Sequence, residues 1–204
     1  PPRPLRTLTK DWGARDGNWF FDFPTSAKTV LGFLEASKLY AEPGVKFEGA
    51  IGVNIKVLET ILGLTGPISI PEYGMTIDKN NFLIELQREV EAGADKKKGE
   101  NPKKILKVLT PLIFEKLNNL SPEETVELFE KIKEHIEKKD IMIFAREANL
   151  ANVLASTDVN GAVYSLPNDF WGSYLAIVNA NVAGGKSDAF VNQDIVGRIE
   201  VDTD

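Results

Sequence analysis

The sequence has no cysteine and a single histidine, and these two scarcities exclude several kinds of site. A chain without cysteine forms no disulfide and offers no thiolate to a metal ion. A metal site built from several histidines is excluded as well, and Ser-His-Asp chemistry is excluded unless His135 serves it. No apolar run approaches the roughly 20 residues that are needed to span a bilayer.

The composition is that of an ordinary globular protein with an acidic balance. Apolar residues make up 43% and charged residues 26% of the 204 positions, enough for one large domain or two small ones. The formal net charge of −6 argues against general nucleic-acid binding, although it is compatible with a local basic site for an anion. Because the chain opens Pro-Pro-Arg without an initiating Met, we expect a piece of a longer protein, and the missing signal peptide carries no information.

The order of helix and strand patterns predicts an α/β fold. Short apolar runs predict buried strands near Ala50, Ile143 and Ile177, and amphipathic helices lie between them. We therefore expect a single domain over residues 1–204, with a central mixed β-sheet covered by helices. The helical, lysine-rich segment 94–138 is predicted to be an insertion onto this sheet domain.

Local signals predict where two of the helices begin. Asp22 and Pro24 start a helix that is expected to continue as far as Pro43-Gly44. Ser121 and Glu124 form a capping box for the helix with the clearest apolar periodicity.

Three single residues carry further structural predictions. Pro111 is expected to kink the helix that it interrupts, or to split it in two. Gly74 is expected at the turn of a hairpin or between two short strands. His135 lies near the polar side of its helix, so we expect a solvated surface residue.

The stretch "ANVAGGKS", Ala180 to Ser187, matches a permissive phosphate-loop pattern. Such a loop binds phosphate only where a helix follows, because the helix N-terminus supplies the amides that hold the anion. Here the sequence "DAFVNQDIVGRIEV" follows, and its pattern is typical of a strand. We therefore predict a hairpin turn at Gly184-Gly185 and no nucleotide triphosphatase.

The stretch "ARDGNWFFDF", Ala14 to Phe23, is unusual because it combines charge with aromatic surface just before a helix. A helix N-terminus favours anions, and arginine donates bidentately to phosphate or carboxylate, so Arg15, Asp16 and Asn18 are candidates for a polar site. The alternative is structural: Asp22 caps the helix, Arg15 pairs with an acid, and the aromatic side chains fill core.

The aromatic side chains of this stretch carry a prediction of their own. Since full burial stabilises an aromatic side chain by about 1.5–3 kcal/mol or more, we expect Trp19 and at least one of Phe21 and Phe23 to be largely buried. Arg15 is expected to reach solvent or a cleft.

The order of three segments resembles the bacterial domain-of-unknown-function family 4012, which occurs in cell-envelope proteins. They are "ARDGNWFFDFPTSA", "FEGAIGVNIKVLETILGLTGPISIPEYGMTI" and "LAIVNANVAGGKSDAFVNQDI", and the resemblance runs from about Trp12 to Ile195. The first half is also similar, more distantly, to the LytR-CpsA-Psr domain. In the family, an Arg- and Gly-rich segment lies upstream of the Arg-Asp-Asn-Trp run, and this chain begins after it.

The resemblance implies a LytR-CpsA-Psr-like fold. It also implies that the domain lies outside the cytoplasm and that the full-length protein is anchored in the cytoplasmic membrane. Proteins of that domain transfer a glycopolymer from a polyprenyl pyrophosphate carrier to peptidoglycan with Mg²⁺. On this resemblance Arg15 and Asp16 are the catalytic candidates, and Asp16 is also the candidate metal ligand. Asn18, Lys186 and Asp188 are the candidate ligand-binding residues.

Three classes of function remain open from the sequence. The first is a phosphotransferase that acts on polyprenyl-pyrophosphate-linked glycopolymers, which a deep apolar groove ending at Arg15 would favour. The second is a non-catalytic module that binds a glycan, a lipid or a protein, which a shallow polar cleft would favour. The third is a structural scaffold, in which Arg15 is paired and buried and no cleft is present.

Overall fold

The structure of the chain is a computed structural model that describes residues 3–7, 11–92, 104–170, 175–179 and 191–198. The chain divides into two compact units, Pro1–Ser165 and Leu166–Asp204. About half of the described residues lie in helices and about a tenth in strands, which confirms the mixed α/β class. The elements of the first unit are α1 Phe23–Glu35, β1 Gly49–Val53, α2 Ile55–Thr65, β2 Ile68–Ile70, β3 Met75–Ile77, α3 Phe82–Ala92, α4 Lys104–Asn118, α5 Pro122–Glu137, β4 Ile141–Ala145 and α6 Ala148–Ser156.

The first helix begins where its capping residue predicts and ends earlier than expected. The Asp22 carboxylate accepts from the Thr25 amide at 2.9 Å, as an N-cap does. The helix ends at Glu35 rather than at Pro43-Gly44, because a series of turns follows in which the Ser37 hydroxyl donates to the Leu34 carbonyl. Leu39, whose spacing favoured a longer helix, is consequently 70% exposed.

The sheet organisation differs from the predicted central mixed sheet. Among the described residues, β1 pairs only with β4 and β2 only with β3, and both pairs are antiparallel. The hairpin β2–β3 closes locally through the turn at Gly74, as predicted, and its three-residue strands offer little length for further pairing. Strands are present near Ala50 and Ile143 as predicted, and they are β1 and β4. Most of β4 is buried, but the expected burial of β1 is wrong, since its Ile51 and Val53 are 66% and 55% exposed.

The larger core lies between the hairpin and the helices around it. Ile70 and Ile77 of the hairpin are fully buried, together with Phe82 and Ile105 from the first turns of α3 and α4. Helix α4 therefore belongs to this core, although it comes from the segment predicted to be an insertion. It also runs on through Pro111, an exposed residue, without splitting in two.

A smaller core cluster places α1 against the β1–β4 sheet. It consists of Phe23, Ala27 and Leu31 from one face of α1 and Phe144 from β4. These positions recur at helical spacing, so the same face of α1 is buried along its length.

Residues 166–204 form the second unit, whose described parts carry no helix or strand. Strands were expected on both sides of Gly184-Gly185, and Ile177 was expected to be buried. Ile177 is instead 51% exposed, since no strand within the described residues pairs with its segment. The hydrogen bond from Asn179 Nδ2 to Gln193 Oε1, 2.6 Å, joins the two described segments through side chains only. The predicted hairpin turn itself lies outside the described residues.

Candidate functional site

The charged pair Arg15–Asp16 lies in a short 3₁₀ turn, Ala14–Asp16, which is separated from α1 by residues 17–22. The Asp16 carboxylate closes this turn by accepting from the Gly13 amide at 3.0 Å, and Arg15 Nε lies 3.4 Å from the same oxygen. The Arg15 side chain is 80% exposed, whereas that of Asp16 is 28% exposed. The prediction that Arg15 reaches solvent is therefore confirmed, and Asp16 serves partly as a structural acceptor.

The aromatic residues that follow this turn differ in how far they are buried. Phe23 is buried at 7% exposure, and Trp19 is half-buried against Trp12, with ring centroids 5.5 Å apart and planes at 69°. Phe20 and Phe21 are 47% and 53% exposed. The burial prediction thus holds for Phe23, while Trp19 is less buried than expected and two phenylalanines stay at the surface.

A buried serine that the sequence did not point to holds the loop in place. Ser26 is 1% exposed, and its hydroxyl accepts from the Phe20 amide at 3.0 Å and donates to the Phe20 carbonyl at 2.8 Å. A β-carbon at Gly17 would lie 3.1 Å from the Val30 side chain, so the loop backbone runs close against α1. These contacts fix the direction in which the turn presents Arg15.

The turn borders a shallow concavity of about 540 Å³ that is open to solvent. Its lining comes from residues 11–16 and so includes Asp11, Trp12, Arg15 and Asp16. Asn18, predicted as a ligand-binding residue, is exposed but does not line this concavity.

The remaining site predictions concern Lys186, Asp188 and a metal. Both residues lie outside the described residues, so their placement stays a prediction. Within the part of the chain that the structure describes, no group of three or more His, Cys, Asp or Glu side chains could hold a metal ion.

His135 contradicts its prediction, because it is buried rather than solvated. It is 9% exposed, and its Nδ1 and Nε2 lie 2.9 Å from Asp140 Oδ2 and 2.8 Å from Thr60 Oγ1. A carboxylate oxygen accepts, so Nδ1 donates to Asp140, and Nε2 is the ring nitrogen that faces the threonine hydroxyl. None of the three residues lines the Arg15 concavity, and the arrangement joins α2, α5 and the residue that precedes β4.

Comparison with known proteins places the Arg15 turn inside a recognised family segment. Residues 3–90 match the family described as protein of unknown function (DUF4012). This match supports the first resemblance that the motifs indicated, and it contains Arg15, Asp16 and Asn18. The similarity to the LytR-CpsA-Psr domain stays a prediction. No curated protein matches the chain, and no solved structure matches it. Among the described residues, no helix is both long and apolar enough to cross a membrane.

Proposed function

We propose that this chain is a ligand-binding module of the cell envelope, and that Arg15 is its anion-binding residue. Its ligand is a polyprenyl-pyrophosphate-linked glycopolymer or a related cell-wall polymer, and it works outside the cytoplasmic membrane as part of an anchored protein. The observation that carries the proposal is the exposed guanidinium of Arg15 at the border of an open concavity.

The guanidinium of Arg15 is available for a ligand. Its ion pair with Asp16 uses Nε at 3.4 Å, a long contact, and Arg15 makes no other hydrogen bond or ion pair with the residues that the structure describes. The two terminal nitrogens are therefore open to a bidentate pair of phosphate oxygens, the geometry for which arginine is suited. Because the whole chain carries a net charge of −6, an anion must be held by such a local site.

Aromatic surface beside Arg15 supports a ligand that has apolar or ring-shaped parts as well as phosphate. Trp12 lines the concavity and packs edge-to-face on Trp19, while Phe20 and Phe21 remain about half exposed in the same loop. Aromatic side chains at a surface offer large, rigid contact area to a partner. The carrier lipid or the sugar attached to the pyrophosphate could pack against these aromatic rings.

The openness of the concavity favours binding over catalysis. Charge stabilisation in a transition state is strongest in a site that excludes water, and this concavity is shallow and open to solvent. A shallow polar cleft is what the binding module requires, whereas a phosphotransferase requires a deeper groove.

The test is a calorimetric titration of a short-chain polyprenyl pyrophosphate into the wild type, Arg15→Ala and Arg88→Ala. Arg88 is a matched control, since it is 65% exposed and also pairs with a nearby carboxylate, that of Glu85. Loss of one or more charge-assisted hydrogen bonds predicts that Arg15→Ala binds about tenfold more weakly or worse, and that Arg88→Ala binds like the wild type. Absence of binding by the wild type, or equal affinities of all three proteins, would contradict the proposal.

A second candidate, the phosphotransferase, is favoured by the two carboxylates that share the concavity with Arg15. Mg²⁺ is held in proteins by one or two carboxylates together with substrate phosphates, and Asp11 and Asp16 both line the concavity. If this function is correct, Mg²⁺ should tighten pyrophosphate binding and Asp16→Asn should remove the tightening. Mass spectrometry should then detect transfer of glycopolymer to a peptidoglycan fragment. If binding is independent of Mg²⁺ and no transfer is detected, the phosphotransferase is excluded and the binding module is the function that stands.

A further inference from the structure

A second cavity lies over β4 in the same unit, between α1 and α6. Its volume is about 410 Å³, within the range of about 300–1,000 Å³ that is typical of small-molecule sites. Ile143, Phe144 and Ala145 line it from the strand, and Leu154 lines it from α6. The apolar surface of this cavity is too small for a folded partner and suits the body of one small molecule.

Two cationic side chains, Lys28 and Arg146, line the same cavity, and no acidic residue is among the lining residues described. Lys28 is exposed and forms no ion pair with a residue that the structure describes. Its Nζ lies 5.6 Å from the centre of the Phe144 ring, so the ammonium sits above the apolar strand. This places a positive charge directly beside apolar surface.

The carboxylates near these cations already accept hydrogen bonds from other groups. Glu35 accepts from Arg146 Nη1 at 2.6 Å and from the Phe47 amide at 3.0 Å, and it holds the guanidinium at the edge of the cavity. The Asp22 carboxylate accepts from Thr25 and from the Val163 amide, and it attracts Lys28 electrostatically without forming an ion pair with it. Of the two cations, Lys28 is thus the one whose ammonium makes no direct ion pair with a described residue and can bind a ligand.

We infer that this cavity binds a small amphiphile with an anionic head group, with the head group at Lys28 and the apolar body against β4 and α6. The charge complementarity and the apolar lining both point to this class, and the head group can be a carboxylate or a phosphate. Asn160 also lines the cavity and can donate a further hydrogen bond to the head group. This site does not depend on the Arg15 proposal, because no residue lines both concavities.

The experiment is a calorimetric titration of decanoate and of decyl phosphate, with a decyl-trimethylammonium salt and a neutral octyl glucoside as charge controls. The proteins are the wild type, Lys28→Gln, Ala151→Leu and Lys133→Gln. Ala151 lines the cavity, so a leucine there should fill part of it, while Lys133 is an exposed lysine that lies outside the cavity lining.

We expect saturable binding of at least one anionic amphiphile. Whichever of decanoate and decyl phosphate binds with the higher affinity identifies the preferred head group. Lys28→Gln should weaken this binding about tenfold or more, since a charge-assisted contact is lost, and Lys133→Gln should not. Ala151→Leu should weaken it as well, with circular dichroism used to confirm folding. Lys28→Gln keeps the test valid if Ala151→Leu does not fold. Absence of saturable binding, equal binding of the cationic amphiphile, or unchanged affinity in Lys28→Gln would overturn the inference.

Discussion

His135 Nδ1 donates to Asp140 Oδ2 across 2.9 Å, and the Asp140 amide donates back to the His135 carbonyl across 2.8 Å. The backbone bond belongs to a helix-ending motif in which Lys139, with φ +62°, takes the left-handed position and its amide donates to the Ile136 carbonyl. The end of α5 is thereby locked to the start of β4. Through Nε2 the same imidazole reaches Thr60 in the middle of α2.

This relationship predicts a large loss of stability when the carboxylate is removed. Asp140→Ala leaves the buried His135 donor without a partner, so the free energy of unfolding should fall by about 1–3 kcal/mol. Thr60→Val keeps the shape of the side chain but leaves the buried His135 Nε2 without its partner, so it should also cost about 1–3 kcal/mol. Urea unfolding measures both, with the exposed Glu137→Ala as a control expected within about 0.5 kcal/mol of the wild type. A loss in Asp140→Ala no larger than that of the control would contradict this account.

Features that depend on neighbouring residues were predictable from the sequence. Asp22 caps α1, and Ser121 and Glu124 cap α5 reciprocally with both hydrogen bonds formed. These capping hydrogen bonds join residues three positions apart, so the local sequence is enough to predict them. His135 was misplaced because helix periodicity does not reveal that Asp140, just beyond the helix, turns back onto it.

Features that depend on distant pairing were less predictable. The runs that became β1 and β4 were recognised as strands, but which strands join into one sheet depends on contacts far apart in sequence. At the Arg15 turn, the mixture of charge and aromatics predicted an exposed arginine next to buried aromatic surface. The double hydrogen bond of Ser26 to Phe20 was not foreseeable, since serine in a helix usually points to solvent or caps.

Glu35 predicts a specific pH dependence of stability. Hydrogen bonding from Arg146, and then from the Phe47 amide, lowers the pKa of Glu35 from 4.5 to about 2. Because the pKa is lower in the folded state, the carboxylate stabilises the fold above about pH 4.5, and this stabilisation is lost as the pH falls toward 2. The difference in unfolding free energy between the wild type and Glu35→Gln should therefore be largest near neutral pH and shrink in acid.

Urea titrations of the two proteins at neutral pH and at several acidic pH values measure this difference. Glu137→Gln is the control, since its carboxylate makes only a 3.9 Å exposed ion pair with Lys133. A difference for Glu35→Gln that stays constant from neutral pH to the most acidic value would exclude the proposed role of the ionised carboxylate.

Replacing Pro111 by alanine is expected to stabilise the protein. Pro111 lies exposed in the interior of α4, where its ring nitrogen cannot donate to the carbonyl of Lys107. Pro111→Ala restores that donor and removes the ring, so the unfolding free energy should rise by roughly 1–3 kcal/mol, after the greater freedom of the unfolded chain is allowed for. Lys107→Ala is the control on the same helix and should change stability little. A lower melting temperature for Pro111→Ala would contradict this prediction.

A substitution at Gly161 should be strongly destabilising, because this glycine combines an unusual backbone conformation with a crowded position. Its φ is +58°, and a β-carbon there would lie 2.3 Å from Met142 Sδ and 3.1 Å from Phe23 Cβ. Its carbonyl also accepts from the Phe23 amide at 3.1 Å, so the segment cannot shift without disturbing the start of α1. Left-handed backbone costs a residue with a β-carbon about 1–2 kcal/mol, and displacing packed side chains typically costs about 1–3 kcal/mol more.

Two other glycines separate these contributions. Gly44 has φ +67° with open space around it, so Gly44→Ala should lose only the backbone part, about 1–2 kcal/mol. Gly32 is exposed inside α1 with nothing near its β-position, so Gly32→Ala should instead gain about 0.5–1 kcal/mol. Urea unfolding of the three variants should therefore rank Gly161→Ala as the least stable and Gly32→Ala as the most stable. Equal losses for Gly161→Ala and Gly44→Ala would mean that Met142 moves aside without cost, and that the close packing at Gly161 does not help to hold α1 on the sheet.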